Sequence, residues 1–272
     1  MSRVLVTGAS GRLGRVVVER ASGHDVVTVG PPGAATEETV DLGDASAVDA
    51  LVARTRPEVI VHLGAVTPSS LRAVAGFALN ATSTEALAAA ADRAGVRRLV
   101  LASTAAVYGD AVATPRRETD DVDPGSAYAQ SKLEAERVLE RAAGETVALR
   151  IFNVYGPGFD DSLVARLSAE SFPEPVRLRA LDEFVRDYIH VDDATDHVLA
   201  SVEADLDARH VVVNVGTGIA VTNRALLDAA TRHREIPVEL VGGPPSVSVA
   251  DVTRAHALLG VSPRHRVLDD LR

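Results

Sequence analysis

The chain has 272 residues, 46% of them hydrophobic, enough to bury a full core in one large α/β domain with room for a small lobe. Its 28 Lys and Arg stand against 38 Asp and Glu, a formal net charge of −10, so nucleic acid is not an expected partner. The lack of cysteine excludes disulfides and thiolate metal sites, no apolar run approaches the ~20 residues of a membrane helix, and the opening MSRVLVTGAS does not read as a secretion signal; the expected location is the cytoplasm, away from membranes.

Arg3–Thr7 is short, apolar and β-branched, and a glycine-rich turn leads from it into a helix predicted over residues 12–21. Further strands are predicted at 25–29, up to Val40, at 58–62, at 98–102 and at 146–151. Helices at Ala45–Thr55, 85–94 and 127–143 fall between them. This alternation predicts a parallel, doubly wound sheet. The link GPPGAATEE before Thr39 is too short and too proline-rich for a crossover helix, so it is expected to be irregular. After Gly156 the alternation breaks. His210–Val215 reads as a strand, residues 222–232 as a helix starting at a Thr cap, and 251–259 as another helix. The expected division is a dinucleotide-binding domain over 1–156 and a small substrate lobe over 157–272 that returns to the main sheet.

VLVTGASGRLGRVVVER places Gly8, Gly11 and Gly14 directly after a strand and at the start of a helix. A pyrophosphate needs backbone N–H groups at a helix N-terminus with no side chain in the way. The acidic residue that holds an adenosine ribose is missing, and Gly30 ends the second strand instead. A 2′-phosphate is then not repelled, so NADP(H) is expected to bind at least as well as NAD(H). Arg12 either pairs with that phosphate or is merely solvated. Asp41, after the third strand, is a candidate for the adenine edge.

SAYAQSK opens the long helix predicted from Ala127. Tyr128 and Lys132 are four apart and share one helical face. A phenol is a poor acid–base group at neutral pH, and a nearby ammonium is expected to lower its pKa. Lys132 is the sole lysine of a chain that otherwise uses arginine, and it follows one of only four tyrosines. A site needing charge alone is served equally well by arginine. Thr104, just past the fifth strand, can hydrogen-bond a reacting oxygen, with Ser103 as the neighbouring alternative and helix capping as its structural role. No metal site is expected: RDYIHVDD, with His190, Asp192 and Asp193, reads as a strand-to-helix junction capped by one of the aspartates.

Together these motifs resemble the extended short-chain dehydrogenase/reductases, the NAD-dependent epimerase/dehydratase group. VTGASGRLG, VDLGD, VIVHLGAV, STAAVYGD, SAYAQSK, LRIFNVYGPG, RDYIHVDDA and VNVGTG occur in the order seen there. The resemblance implies a Rossmann-type sheet with an interleaved lobe, catalysis by Thr104, Tyr128 and Lys132, a nucleotide-sugar substrate and an option of homodimers. Implied cofactor contacts are Gly8, Ser10, Gly11, Arg12, Leu13, Gly14, Asp41, Leu42, Leu63, Gly64, Ala65, Asn80, Tyr128 and Lys132. Implied substrate contacts are Thr104, Asn153 and, toward a diphosphate, Arg186. The chain departs from the pattern at Ala105 and Ala106, where dehydratases carry Asp and Glu, so 4,6-dehydration is not expected. A second diphosphate arginine is missing before SVADVTRA. The leading expectation is therefore a ketoreductase that grips its nucleotide-linked deoxysugar loosely. A nucleotide-sugar epimerase with tightly bound NAD is the main alternative, followed by a simple sugar or uronate dehydrogenase and a non-catalytic dinucleotide sensor.

Overall fold

The computed structural model describes residues 1–70, 76–109 and 114–271. Seven parallel strands form the main sheet: β1 (Arg3–Thr7), β2 (Asp25–Gly30), β3 (Glu38–Thr39), β4 (Val59–His62), β5 (Arg98–Thr104), β6 (Glu145–Ile151) and β11 (His210–Val215). Their order is β11-β6-β5-β4-β1-β2-β3, a Rossmann-like doubly wound sheet. The strands are apolar on both faces because helices cover both. Val4, Val6, Val59, Val61, Val100, Val147 and Leu149 share one core with Val17, Val198, Val202 and Leu259. The alternate residues Leu5, Ile60, Leu99, Leu101 and Ala148 share the opposite core with Val48, Leu51, Leu87 and Leu139.

The first face is covered by α1 (Arg12–Arg20), α6 (Val191–Glu203) and α8 (Thr253–Leu259), and the second by α2 (Ala45–Thr55), α3 (Ala78–Ala94) and α4 (Ala127–Arg141). Buried Ala86, Ala88, Ala90 and Ala91 make α3 narrow enough to pack closely against its neighbours. The link between β2 and β3 contains no helix, as the prolines require. A short 3-10 turn, Ala105–Tyr108, follows β5.

The lobe is built from short pieces: β7 (Asn153–Tyr155), α5 (Leu163–Ser168), β8 (Val176–Arg179), β9 (Phe184–Arg186), β10 (Tyr188–His190), β12 (Val221–Thr222), α7 (Asn223–Ala230), β13 (Val238–Val241), β14 (Ser246–Ser248) and α9 (Val267–Asp270). They enclose a core of Tyr155, Leu167, Leu178, Tyr188 and Leu226. Thr222 caps α7 as expected, accepting from the Ala225 N–H at 3.0 Å. The junction at α6 differs from expectation. Its cap is His190, whose Nδ1 accepts from the Asp192 N–H at 3.2 Å, and Asp192 and Asp193 occupy the first turn, where carboxylates favour the helix dipole.

The glycine turn depends on close backbone approaches. Gly8 has φ +68°, and a Cβ there would lie 2.6 Å from the Gly64 nitrogen. A Cβ on Gly14 would lie 2.1 Å from the Gly8 carbonyl oxygen. Gly14→Ala is accordingly expected to cost about 1–3 kcal/mol and lower the melting temperature. Gly23→Ala, where a Cβ meets nothing within 4 Å, is the control. An unchanged melting temperature for Gly14→Ala contradicts the close approach.

Candidate active site

A cavity of about 930 Å³ opens at the carboxyl ends of β1, β4, β5 and β6 and extends under the lobe. Gly8, Gly11, Arg12, Leu13, Gly14, Leu63 and Ala65 line one end; Thr104, Tyr128, Lys132 and Asn153 line it further along, as does Arg186. Ser10, Asp41, Leu42, Gly64 and Asn80 do not line it. Asp41 instead accepts from the Gly43 N–H at 2.9 Å. Asn80 is buried, accepts from the Val66 N–H at 2.8 Å, and donates to the Val66 carbonyl and to Ser131 Oγ, each at 3.0 Å. It thus shapes the loop that carries Leu63 and Ala65 from behind. His62, buried beneath that loop, bonds Thr7 Oγ1 at 2.7 Å, and burial, aided by the charge of Lys132, lowers its pKa to about 3. It is a neutral strut.

The turn fits a dinucleotide. The N-cap of α1 is Gly11, no side chain caps the helix, and Cβ atoms at Gly8 and Gly14 would strike the backbone that shapes the turn. Arg12 is not merely solvated. It ion-pairs with Asp161 and donates to Ser69 Oγ at 3.0 Å.

Helix α4 starts at Ser126, which accepts from the Ala129 N–H at 3.2 Å, and its first two turns carry Tyr128 and Lys132. Lys132 is 3% exposed and donates to the Ala102 carbonyl at 2.8 Å. Burial lowers its pKa to about 8, with the Glu136 charge opposing. Tyr128 behaves differently from the sequence expectation. Burial raises its pKa, an interaction with the Thr104 hydroxyl pulls the other way, and Lys132 does not contribute. The ammonium is hydrogen-bonded to the strand carbonyl. Phe77 packs against the Tyr128 ring at 5.8 Å between centroids. Ser103 donates to buried Glu136, which also pairs with Arg150 at 2.8 Å, so Ser103 is committed to the interior and Thr104 is the hydroxyl that faces the phenol. Thr104 Oγ1 also caps the 3-10 turn, accepting from the Ala106 N–H at 3.2 Å.

The far end of the cavity holds groups that the motifs did not single out: Arg166, Arg177, Arg179, Phe184 and Asn223. Arg186 stacks on Phe184 at 3.8 Å and donates to Ser246 Oγ at 2.6 Å. Asn153 donates to the Asp187 carbonyl at 2.9 Å. Asp161 is the sole carboxylate among the lining residues, against six cations. The VRLR alternation of β8 does place Arg177 and Arg179 on one face of the strand, which was the available sequence signal. Outside the cavity, His190, Asp192 and His265 lie close together, but the two imidazoles stack at 4.0 Å with planes 22° apart, and nearly parallel rings aim their in-plane lone pairs poorly at one ion. No helix among the described residues is long and apolar enough to cross a membrane.

Residues 4–216 match the model of the NAD dependent epimerase/dehydratase family. The chain belongs to that family. It is 33% identical to the UDP-glucose 4-epimerase of Mycolicibacterium smegmatis, covering 96% of this chain and 94% of the relative. It is 31% identical to the dTDP-6-deoxy-L-talose 4-dehydrogenase (NAD(P)(+)) of Kitasatospora kifunensis, covering 100% and 94%. Among solved structures it is similar to MoeE5 in complex with UDP-glucose and NAD, with 32% identity, a TM-score of 0.82, and 99% and 96% of the two chains covered.

Two outcomes test the chemistry of this family member. Tyr128→Phe is expected to keep its melting temperature and NAD binding but lose turnover by about 10²–10⁴-fold; near-normal turnover sinks the assignment. Lys132→Met is expected to abolish turnover yet stabilise the cofactor-free protein by about 1–3 kcal/mol, because a buried charge with one carbonyl partner is replaced by an apolar chain. The sign follows from the shift. Folding lowers the ammonium pKa from 10.5 to about 8, so the cost of burial is full below pH 8 and relieved as pH rises toward 10.5. The advantage of Lys132→Met in denaturant titrations is expected to shrink across that window.

Proposed function

We propose that the protein is an NAD-dependent nucleotide-sugar 4-epimerase acting on a UDP-hexose. The observation that carries this reading is the arginine-lined far end of the cavity. An epimerase must hold its nucleotide firmly while a reactive keto sugar turns over. The missing second diphosphate arginine argued against such a grip, but Arg166 and Arg179 join Arg186 there, beside an Arg177 that pairs with Glu239 at 3.2 Å, and weaken that objection. Guanidinium groups match phosphate oxygens in geometry as well as charge. The names of most relatives, UDP-glucose 4-epimerases, favour the same reading.

In this mechanism the glycine turn and Leu63–Ala65 loop seat the dinucleotide, which supplies a hydride acceptor and then a hydride donor. Tyr128 takes the proton of the sugar 4-hydroxyl as the C4 hydrogen departs, and returns it when the hydride comes back to the other face. Thr104 bonds the reacting oxygen and favours the phenolate. Lys132 supplies fixed positive charge beside the reacting groups, and Asn153 faces the sugar. Ala105 and Ala106 offer only methyl groups, so the keto sugar has no added acid and base to eliminate water. NAD(H) is the cofactor of this reading, supported by the NAD-dependent family and by the NAD in the MoeE5 structure.

The dTDP-deoxytalose dehydrogenase relative, matched over the whole chain, favours a second reading as a 4-ketoreductase. Stoichiometry separates the two. The protein with NAD is expected to interconvert UDP-glucose and UDP-galactose with no net change in reduced nicotinamide absorbance. Stoichiometric oxidation of reduced cofactor by a dTDP-4-keto-6-deoxysugar, without that interconversion, overturns the epimerase reading in favour of the reductase.

A further inference from the structure

Arg12 belongs to the glycine turn, yet its side chain reaches groups far away in the chain. One guanidinium nitrogen donates to Asp161, another donates to Ser69 Oγ at 3.0 Å, and Cζ lies 4.8 Å from the centroid of the Phe159 ring. Ser69 lies in the loop after β4, whereas Phe159 and Asp161 lie between β7 and α5. All four residues line the cavity. One side chain therefore ties the phosphate-binding turn to two separate walls. Among the described residues, no other ion pair joins residues 8–14 to the lobe.

The pair is half-exposed, with 35% of the Arg12 side chain and 55% of the Asp161 side chain open to water. Ion pairs of that kind add little to global stability and are weakened by salt, so this one can open without unfolding its surroundings. The arginine fork has five donors, and the one carboxylate and one hydroxyl it meets here leave capacity for a further, anionic acceptor. A pyrophosphate on the turn is such an anion.

We propose that Arg12 and Asp161 form a clasp across the mouth of the dinucleotide site, which must open for the cofactor to enter or leave and which sets how long it stays. The proposal rests on reading the glycine turn as the cofactor site. It gives the family's shared chemistry a specific bias. A reductase must exchange its cofactor at every turnover, whereas an epimerase works best when the oxidised and re-reduced cofactor never leaves.

The test is the dissociation rate of NADH, followed by nicotinamide fluorescence when excess NAD displaces it in stopped flow. Asp161→Asn keeps the shape of the side chain and removes its charge; Asp161→Ala removes both. Both variants are expected to keep the melting temperature of the cofactor-free protein and to release NADH about five-fold faster than the wild type, the size that a half-exposed charged pair supports. Wild-type release is expected to quicken with added salt, and release from the variants to respond less, which loss of packing alone does not produce. An unchanged release rate with unchanged salt dependence in folded Asp161→Asn overturns the clasp while leaving the cofactor site intact. Failure of the wild-type protein to bind NADH at all overturns the reading of the turn, and the clasp with it.

Discussion

A buried ammonium next to a strand end is the constraint around which the rest of this site is arranged. Lys132 has almost no access to water and one close partner, the Ala102 carbonyl. Desolvating such a charge is expensive, and the nearby Glu136 charge offsets part of that cost. The same low dielectric acts on Tyr128 in the opposite sense. Burial pushes the phenol up and the ammonium down, so it favours the neutral form of each. A charged ligand in the cavity would act strongly on both, because charge there is poorly screened.

Charge is distributed along the cavity with the same logic. The chain as a whole carries −10, yet the lining holds six cations and one carboxylate. That contrast focuses attraction for phosphorylated ligands into the cleft while the outer surface repels polyanions. The cations are spread from Arg12 at the glycine turn to Arg179 and Arg186 under the lobe, with Tyr128 and Thr104 among the lining residues too. A ligand with a diphosphate some distance from its reacting carbon suits this spacing better than a small acid or a free sugar.

What the sequence made legible was whatever depends on neighbours in the chain. The strand–glycine–helix unit, the four-residue step from Tyr128 to Lys132 and the Thr222 cap are all local, and each lies where its spacing placed it. The lobe was opaque because strands such as Phe184–Arg186 and Tyr188–His190 have three residues each, too few to show a period, and are fixed by pairing with distant segments. The cap of α6 was assigned to an aspartate on propensity, but the imidazole of His190 reaches the same N–H. The partner of Arg12 lies 149 residues away, beyond any local rule. The expected lowering of the tyrosine pKa failed for a different reason. Sharing a helical face with a lysine is not enough, because burial of the phenol outweighs the opposing hydrogen bond with Thr104.

The parts of the site are also linked mechanically. Asn80 grips both polar groups of Val66 and donates to Ser131, and Ser131 donates to the Tyr128 carbonyl at 2.8 Å. The loop that carries Leu63 and Ala65 is thus joined to the first turn of α4 through one buried amide. A shift of that loop is passed to the helix that carries the phenol, since a buried amide with all these bonds made cannot move without breaking one. A residue outside the cavity thus joins two segments that line it, and these hydrogen bonds fix the position of Asn80.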